Sequence, residues 1–358
     1  MKLHNNQLTL IRHLIRFNIL DYESCLELLD EKNTNDKIAM SYVFRPLTKY
    51  NYIKKNKNGY VTILKKGRAL FPNEHKYISE GGNEQSKQRV IQVSRMAAIM
   101  EKIGIKITDE LPDNENPYFI PSACWRNIAP GILSTTRFVG MLLAYNKKYA
   151  VYDIGDGSIE WQVRAESSLF YTKYGDYETK ADGMIMICDS GKRNVIAENI
   201  IRHTMWNRKT LLKEQYTERE RPVRFSRSPI KLRTQYERVY LIAKDKIKQG
   251  LKWIFYEDYI ISNTIENGRK LNDPKLGDVE VWPKRYFINP AFDLLKLVYF
   301  FSAVKAYHEL EKSFIPSSSN IEYVLIMQKE DLSVLKMYPD VINSDKVKIY
   351  EYGFDENA

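Results

Sequence analysis

The sequence predicts a mixed α/β (α+β) protein in two parts: a small helical domain closed by a β-hairpin, then a larger domain built on a mixed sheet. Three observations predict it. Apolar residues recur at helical spacing through the first fifty positions, a glycine-containing turn then joins two short β-type runs, and several apolar β-type runs alternate with helical stretches further on. With 358 residues, the chain is long enough for at least two domains.

The first helix is expected over Leu8 to Asn18, with Leu8, Ile11, Leu14, Ile15 and Phe17 on one face. Asp21 is placed to cap a second helix whose apolar residues are Leu26, Leu28 and Leu29, and Asn33-Thr34-Asn35 ends it in a turn. Asp36 opens a third helical segment that directs Ile38, Val43 and Leu47 inward and leaves Lys37, Met40, Ser41, Tyr42, Arg45 and Lys49 as outward candidates. Pro46 lies inside this segment, removes the backbone bond to Tyr42 and is expected to kink or shorten the helix near Arg45. Tyr52-Ile-Lys-Lys, Asn56-Lys-Asn-Gly59 and Tyr60-Val-Thr-Ile-Leu64 read as strand, turn and strand. Three helices followed by such a hairpin make a winged helix-turn-helix over residues 1–75, with Lys65-Lys-Gly-Arg68 at its close and a linker at 76–87 containing Gly81-Gly82.

The remaining domain, 88–358, is expected to begin with a helix over Gln88 to Ile103. Strands follow at 137–145, 148–154 and 158–163, a helix at 165–174, and further strands at 183–188, 239–244, 323–328 and 347–352. The apolar run 291–307, interrupted by Asp293, Lys296 and Lys305, reads as a buried amphipathic helix. One helix before three strands and another after them is the order of a PD-(D/E)xK nuclease core, with Asp153, Glu160 and Glu101 as its carboxylates. That chemistry also needs a cation two residues beyond the acidic strand residue to offset charge on the scissile phosphate. Gln162 stands there, with Arg164 two residues further on the same face, so a degenerate core is expected and no catalytic residue is assigned. A metal-dependent nuclease remains the enzymatic alternative.

The net charge of +10 favours polyanionic partners. In the winged domain, Lys37, Ser41, Tyr42 and Arg45 are the candidates for base contact, and Lys49, Lys54, Lys55, Lys57, Asn58, Lys65, Lys66 and Arg68 for phosphate contact. A second basic stretch, Arg202 to Arg238, holds eleven Lys or Arg against four Glu. There Arg221, Arg224 and Arg227 stand near Phe225 and Tyr236, a composition suited either to an opened strand or to a solvated loop. Cys25, Cys124 and Cys188 lie far apart without a CxxC pair, and the five histidines are scattered, so neither a disulfide framework nor a metal site is expected, and no cofactor. No apolar run is long enough to span a bilayer, and a cytoplasmic location is expected.

The segments Asn51-Tyr52-Ile53 and Tyr60-Val-Thr-Ile-Leu-Lys-Lys-Gly-Arg68 resemble the end of the recognition helix and the wing of bacterial winged-helix proteins. Thr136-Arg-Phe-Val-Gly140, Tyr149-Ala-Val-Tyr152, Glu160-Trp161 and Glu166 are similar to the replication-relaxation family and to accessory proteins of Gram-positive conjugative elements. The resemblance implies double-stranded DNA binding as an accessory factor in plasmid or mobile-element replication or transfer. Its expected partners are DNA, a relaxase or replication protein, and a second copy of the chain. A transcriptional regulator or a protein-interaction platform are further alternatives.

Overall fold

The computed structural model describes residues 3–29, 40–78, 83–112, 117–128, 137–155, 181–198, 238–255, 284–287, 291–293, 323–327, 329–335 and 347–351. They form two compact units, one essentially Met1–Asp153 and the other essentially Asp182–Ala358. Both combine helices with mixed sheets, as an α+β chain should.

In the first unit, helix α1 (Asn5–Phe17) buries Leu10, Ile11, Leu14, Ile15 and Phe17 along one side. Strand β1 (Ile19–Asp21) leads into α2 (Tyr22–Leu28), which Asp21 caps by accepting the Ser24 N–H at 3.0 Å and the Ser24 hydroxyl at 2.7 Å. The third helical segment is split where Pro46 predicts: a π-helical turn (Met40–Phe44) precedes helix α3 (Arg45–Lys49), with Pro46 in its first turn. Strands β2 (Ile53–Lys55) and β3 (Tyr60–Ile63) then form the hairpin, and all three strands pair antiparallel in the order β1-β3-β2. Helix α4 (Lys65–Arg68) closes the region, and Gly67 is required there, since a Cβ would stand 2.4 Å from the Tyr52 carbonyl oxygen.

Residues 72–78, the first of which close the hairpin region, run back over α1: the N–H groups of Tyr77 and Ile78 donate to the Arg16 carbonyl at 2.9 and 3.2 Å. Helix α5 (Glu84–Lys102) follows, capped by Asn83 and starting four residues before the periodicity suggests, because its first turn carries polar residues only. It buries Val90, Ile91, Val93, Met96 and Met100 and touches α1, α2 and β1 as well as a second group of strands, and Ala98 belongs to the core of the N-terminal helices. Those strands are β4 (Lys106–Ile107), β5 (Tyr118–Pro121), β6 (Phe138–Ala144) and β7 (Lys147–Gly155). β4 runs parallel to β5, and β5–β6 and β6–β7 are antiparallel. Helix α6 (Ser122–Ile128) follows β5 directly. The expected strand at 158–163 and helix at 165–174 lie outside the described residues.

In the second unit, β8 (Gly183–Cys188) and β9 (Arg238–Ala243) are parallel, and β11 (Ala291–Asp293) pairs antiparallel with β9. Strands β10 (Lys284–Phe287), β12 (Tyr323–Met327) and β13 (Val347–Glu351) form a parallel sheet ordered β10-β12-β13. The run beginning at Ala291, expected to be helical, opens as a strand: pairing with β9 supplies its backbone with partners that a helix would have supplied internally. Helices over 193–198 and 247–255 and the short Leu332–Leu335 follow β8, β9 and β12, and Arg193 donates to buried Asp331 at 2.5 Å. Among the described residues no helix is long and apolar enough to cross a membrane.

What fixes α5 against α1 and α2 is charge. The Arg16 Nη1 donates to Glu101 at 2.5 Å, the His13 Nδ1 lies 2.8 Å from the other oxygen of that carboxylate, and the Arg95 Nε donates to Asp21 at 3.1 Å. Burial by itself raises the Glu101 carboxyl, but His13 and Arg16 outweigh it and hold the group below its usual range. Asp21 behaves alike: burial raises it, and Ser24 and Arg95 more than reverse the effect. A carboxyl whose folded value lies below its unfolded one stabilises the protein above the ordinary carboxylate range and loses that contribution as pH falls through the folded value. Thermal stability should therefore weaken below about pH 4. Glu101→Gln should cost about 3 kcal/mol at pH 7 by leaving Arg16 short of a counter-charge, and its deficit should shrink as the solution is made more acid. Melting temperatures of the two proteins that stay equally far apart across this range would refute the assignment.

Candidate nucleic-acid interface

From Met40 to Asn73 the chain carries eight cations and no Asp or Glu. The structure displays nearly all of them outward. Arg45, Lys49, Lys54, Lys55, Lys57, Asn58, Lys65 and Lys66 are exposed, and Tyr42 is 72% exposed. Strand β2 turns Ile53 into the core and leaves Lys54 and Lys55 outside, while β3 buries Val61 and Ile63. Arg68 is half-buried and donates to the Asn18 side chain at 2.5 Å, so it braces α4 against the end of α1. Ser41 lies in the π-helical turn, and Lys37, Arg221, Arg224 and Arg227 lie outside the described residues.

Aromatic rings order several of these cations without neutralising them. The Lys55 ammonium sits 3.8 Å from the Tyr22 ring centre, and the Lys66 ammonium lies 5.1 Å from Tyr52 and 5.9 Å from Tyr50. Lys49 approaches Tyr50 as well, at 5.8 Å. A ring face attracts the cation but, unlike a carboxylate, leaves its N–H donors free for a phosphate oxygen. Tyr22 and Tyr50 are the members of this surface that sequence reading missed: the alternation of tyrosines with lysines through 49–66 hinted at Tyr50, whereas nothing local pointed to Tyr22, which only the fold brings to Lys55.

Two local devices set the shape of this surface. Asn56 N–H donates to Tyr60, Gly59 N–H returns to Asn56, and Gly59 has φ +78°, the arrangement of a three-residue hairpin loop closed by a left-handed glycine. The Asn56 side chain also accepts from the N–H groups of Asn58 and Tyr60 at 3.0 and 2.8 Å, and the Gly59 carbonyl accepts the Tyr22 N–H at 3.1 Å. The second device answers Pro46. Having no N–H, Pro46 cannot donate to the Tyr42 carbonyl, and the Gln7 side-chain amide on α1 donates to that oxygen instead at 3.0 Å. Gln7 is 2% exposed, and its oxygen accepts the His4 N–H at 3.1 Å, so both ends of the amide are engaged.

The groups of the nuclease reading are disposed differently. Glu101 is occupied by Arg16 and His13, and Asp153 is only 3% exposed, while Glu160, Gln162 and Arg164 lie outside the described residues. Among the described residues no group of three His, Cys, Asp or Glu is placed to hold a metal ion. Asp189, in the turn after β8, accepts from Lys244 at 2.7 Å and its own N–H donates to Gly155. Burial pushes the Cys124 and Cys188 thiols up to about 12 and raises Cys25 as well, which leaves all three poor nucleophiles.

Gln7→Leu keeps the approximate volume of the side chain but strips the Tyr42 carbonyl of its donor. It should destabilise the chain by about 1–3 kcal/mol in urea unfolding, and a change of only a few tenths would mean that another group takes up the bond.

No protein-family model matches this chain, and neither a curated protein nor a solved structure matches it.

Proposed function

We propose that residues 3–78 are a winged helix that binds double-stranded DNA, with the Met40–Lys49 segment in the major groove and the β2–β3 hairpin as the wing. The observation that carries this reading is the acid-free, outward-facing cationic surface between Met40 and Asn73, on a scaffold whose element order and strand order β1-β3-β2 suit a winged helix. Cations on β2, the hairpin loop and α4 contact phosphates and fix the register. Tyr42 and Arg45, exposed just before Pro46 redirects the chain, reach base edges. Through its resemblance to the replication-relaxation family, the chain acts as an accessory factor in the replication or transfer of a plasmid or other mobile element.

Titration of the full chain with labelled duplex at several salt concentrations tests the reading. Affinity should fall steeply with salt, and Lys54→Gln, Lys57→Gln and Lys65→Gln should each flatten the log–log slope by about 0.9, the share of one neutralised phosphate. Binding that ignores salt, or a slope unchanged in all three variants, would reject it.

Base-reading and phosphate-reading residues should also differ in kind. Arg45→Ala should cost about 1–3 kcal/mol on a selected site and little on random duplex, narrowing the ratio between them. Lys57→Ala should weaken both alike. Selection of binding sites from a random duplex pool, followed by competition with each variant, separates the two behaviours.

A further inference from the structure

Away from the surface just described, the first unit contains a cleft of about 490 Å³ bounded by α1, the end of α2, the end of α5 and β4. Its volume is in the range of small-molecule sites, about 300–1,000 Å³, but its lining is unusually cationic. Arg12, Arg16, Lys102 and Lys106 line it against one carboxylate, Glu101, and Thr9 adds a hydroxyl. The charges are unequally used. Arg16 is committed to Glu74 at 2.6 Å and to Glu101 at 2.5 Å, so Glu101 is already compensated from within the protein. Arg12 is 54% exposed, 3.8 Å from Glu74 and stacked over the Phe71 ring at 4.5 Å, which holds its guanidinium in place while leaving donors open. Lys102 and Lys106 are exposed and have no ion-pair partner among the described residues. They stand at the end of α5 and on the strand that follows it, separated by the Gly104 turn (φ +87°), so that short-range backbone geometry brings both into one cleft with Arg12.

Two lysines without a carboxylate partner among the described residues, and Arg12 paired only at 3.8 Å with Glu74, converge on a concave surface floored by His13, Arg16 and Glu101, and an anion between them would relieve their mutual repulsion. We propose that this cleft binds a small polyanion, a molecule bearing at least two phosphate or carboxylate groups, held by Arg12, Lys102 and Lys106. Arg12 supplies a fork of N–H donors that suits an oxyanion, and the two lysines supply point charges around it. The site is separate from the DNA-facing surface and does not rest on the DNA-binding reading.

The test is calorimetric titration of the full chain, without DNA and at fixed ionic strength, with pyrophosphate in one arm and citrate in the other. Saturable binding of at least one is expected, and the tighter of the two assigns the site to phosphate or carboxylate chemistry. Lys102→Gln with Lys106→Gln should weaken that binding at least about tenfold, because two screened charges are removed. Lys54→Gln with Lys57→Gln should leave it unchanged. Both lysines of the cleft are exposed, so the fold should survive their replacement, and Arg12→Gln offers an independent variant with the same expected direction. No saturable heat with either anion, equal binding in both double variants, or weakening in the Lys54/Lys57 variant alone would each overturn the proposal.

Discussion

The Glu101 carboxylate, half-buried between Arg16 and His13 of α1, is the contact on which the first unit depends. A carboxylate in that position is tolerable only because two partners from another helix meet it, and each partner is in turn held: Arg16 by Glu74, His13 by Ser94. The consequence is architectural. Helix α5 faces the N-terminal helices on one side and β4, β5 and β6 on the other, so the small helical region and the strands after it share one spine. Glu74, Tyr77 and Ile78 tie the intervening chain to the same stretch of α1. The N-terminal core is completed by Ala98 from α5 and does not end where the hairpin ends.

Charge is sorted within this unit according to use. The acids Asp21, Glu74 and Glu101 are engaged with arginines at the junction of the helices, where they hold structure together. The segment from Met40 to Asn73 carries no acid, and tyrosine rings take the place that carboxylates would otherwise fill beside its lysines. The same distinction separates Arg68, bound to Asn18, from Lys65 and Lys66 just before it, which remain outward. Sequence reading grouped these three together because composition reports charge and not the partner that consumes it.

Elements governed by local rules were legible in the sequence. The Asp21 cap, the break at Pro46, the glycine turn of the hairpin and the apolar strands β6, β7, β8, β9, β12 and β13 all lie within a residue or two of expectation. Very short elements were not: β1, β4 and β11 have two or three residues, too few to show a period, and their pairing is decided by distant strands. Site residues divide in the same way. Lysines of the hairpin were found because a dense cluster of cations around a turn goes to solvent whatever the strand alternation, and Lys54 and Lys55 are both exposed. Glu101 was read as a metal-binding candidate since its partners stand more than eighty residues away, and Gln7 escaped notice since the carbonyl it serves lies 35 residues on.

The bond from Tyr22 N–H to the Gly59 carbonyl joins the first turn of α2 to the base of the hairpin loop, and Asn56 locks the loop from the other side. Hairpin tips of this kind are commonly the loosest part of a small domain, yet here the conformational entropy of the loop is largely given up when the chain folds. A partner that docks on it meets a surface already in shape. Association through this face would then be a near-rigid encounter, in which the rate is governed by long-range attraction to the cations and little is left to rearrangement after contact.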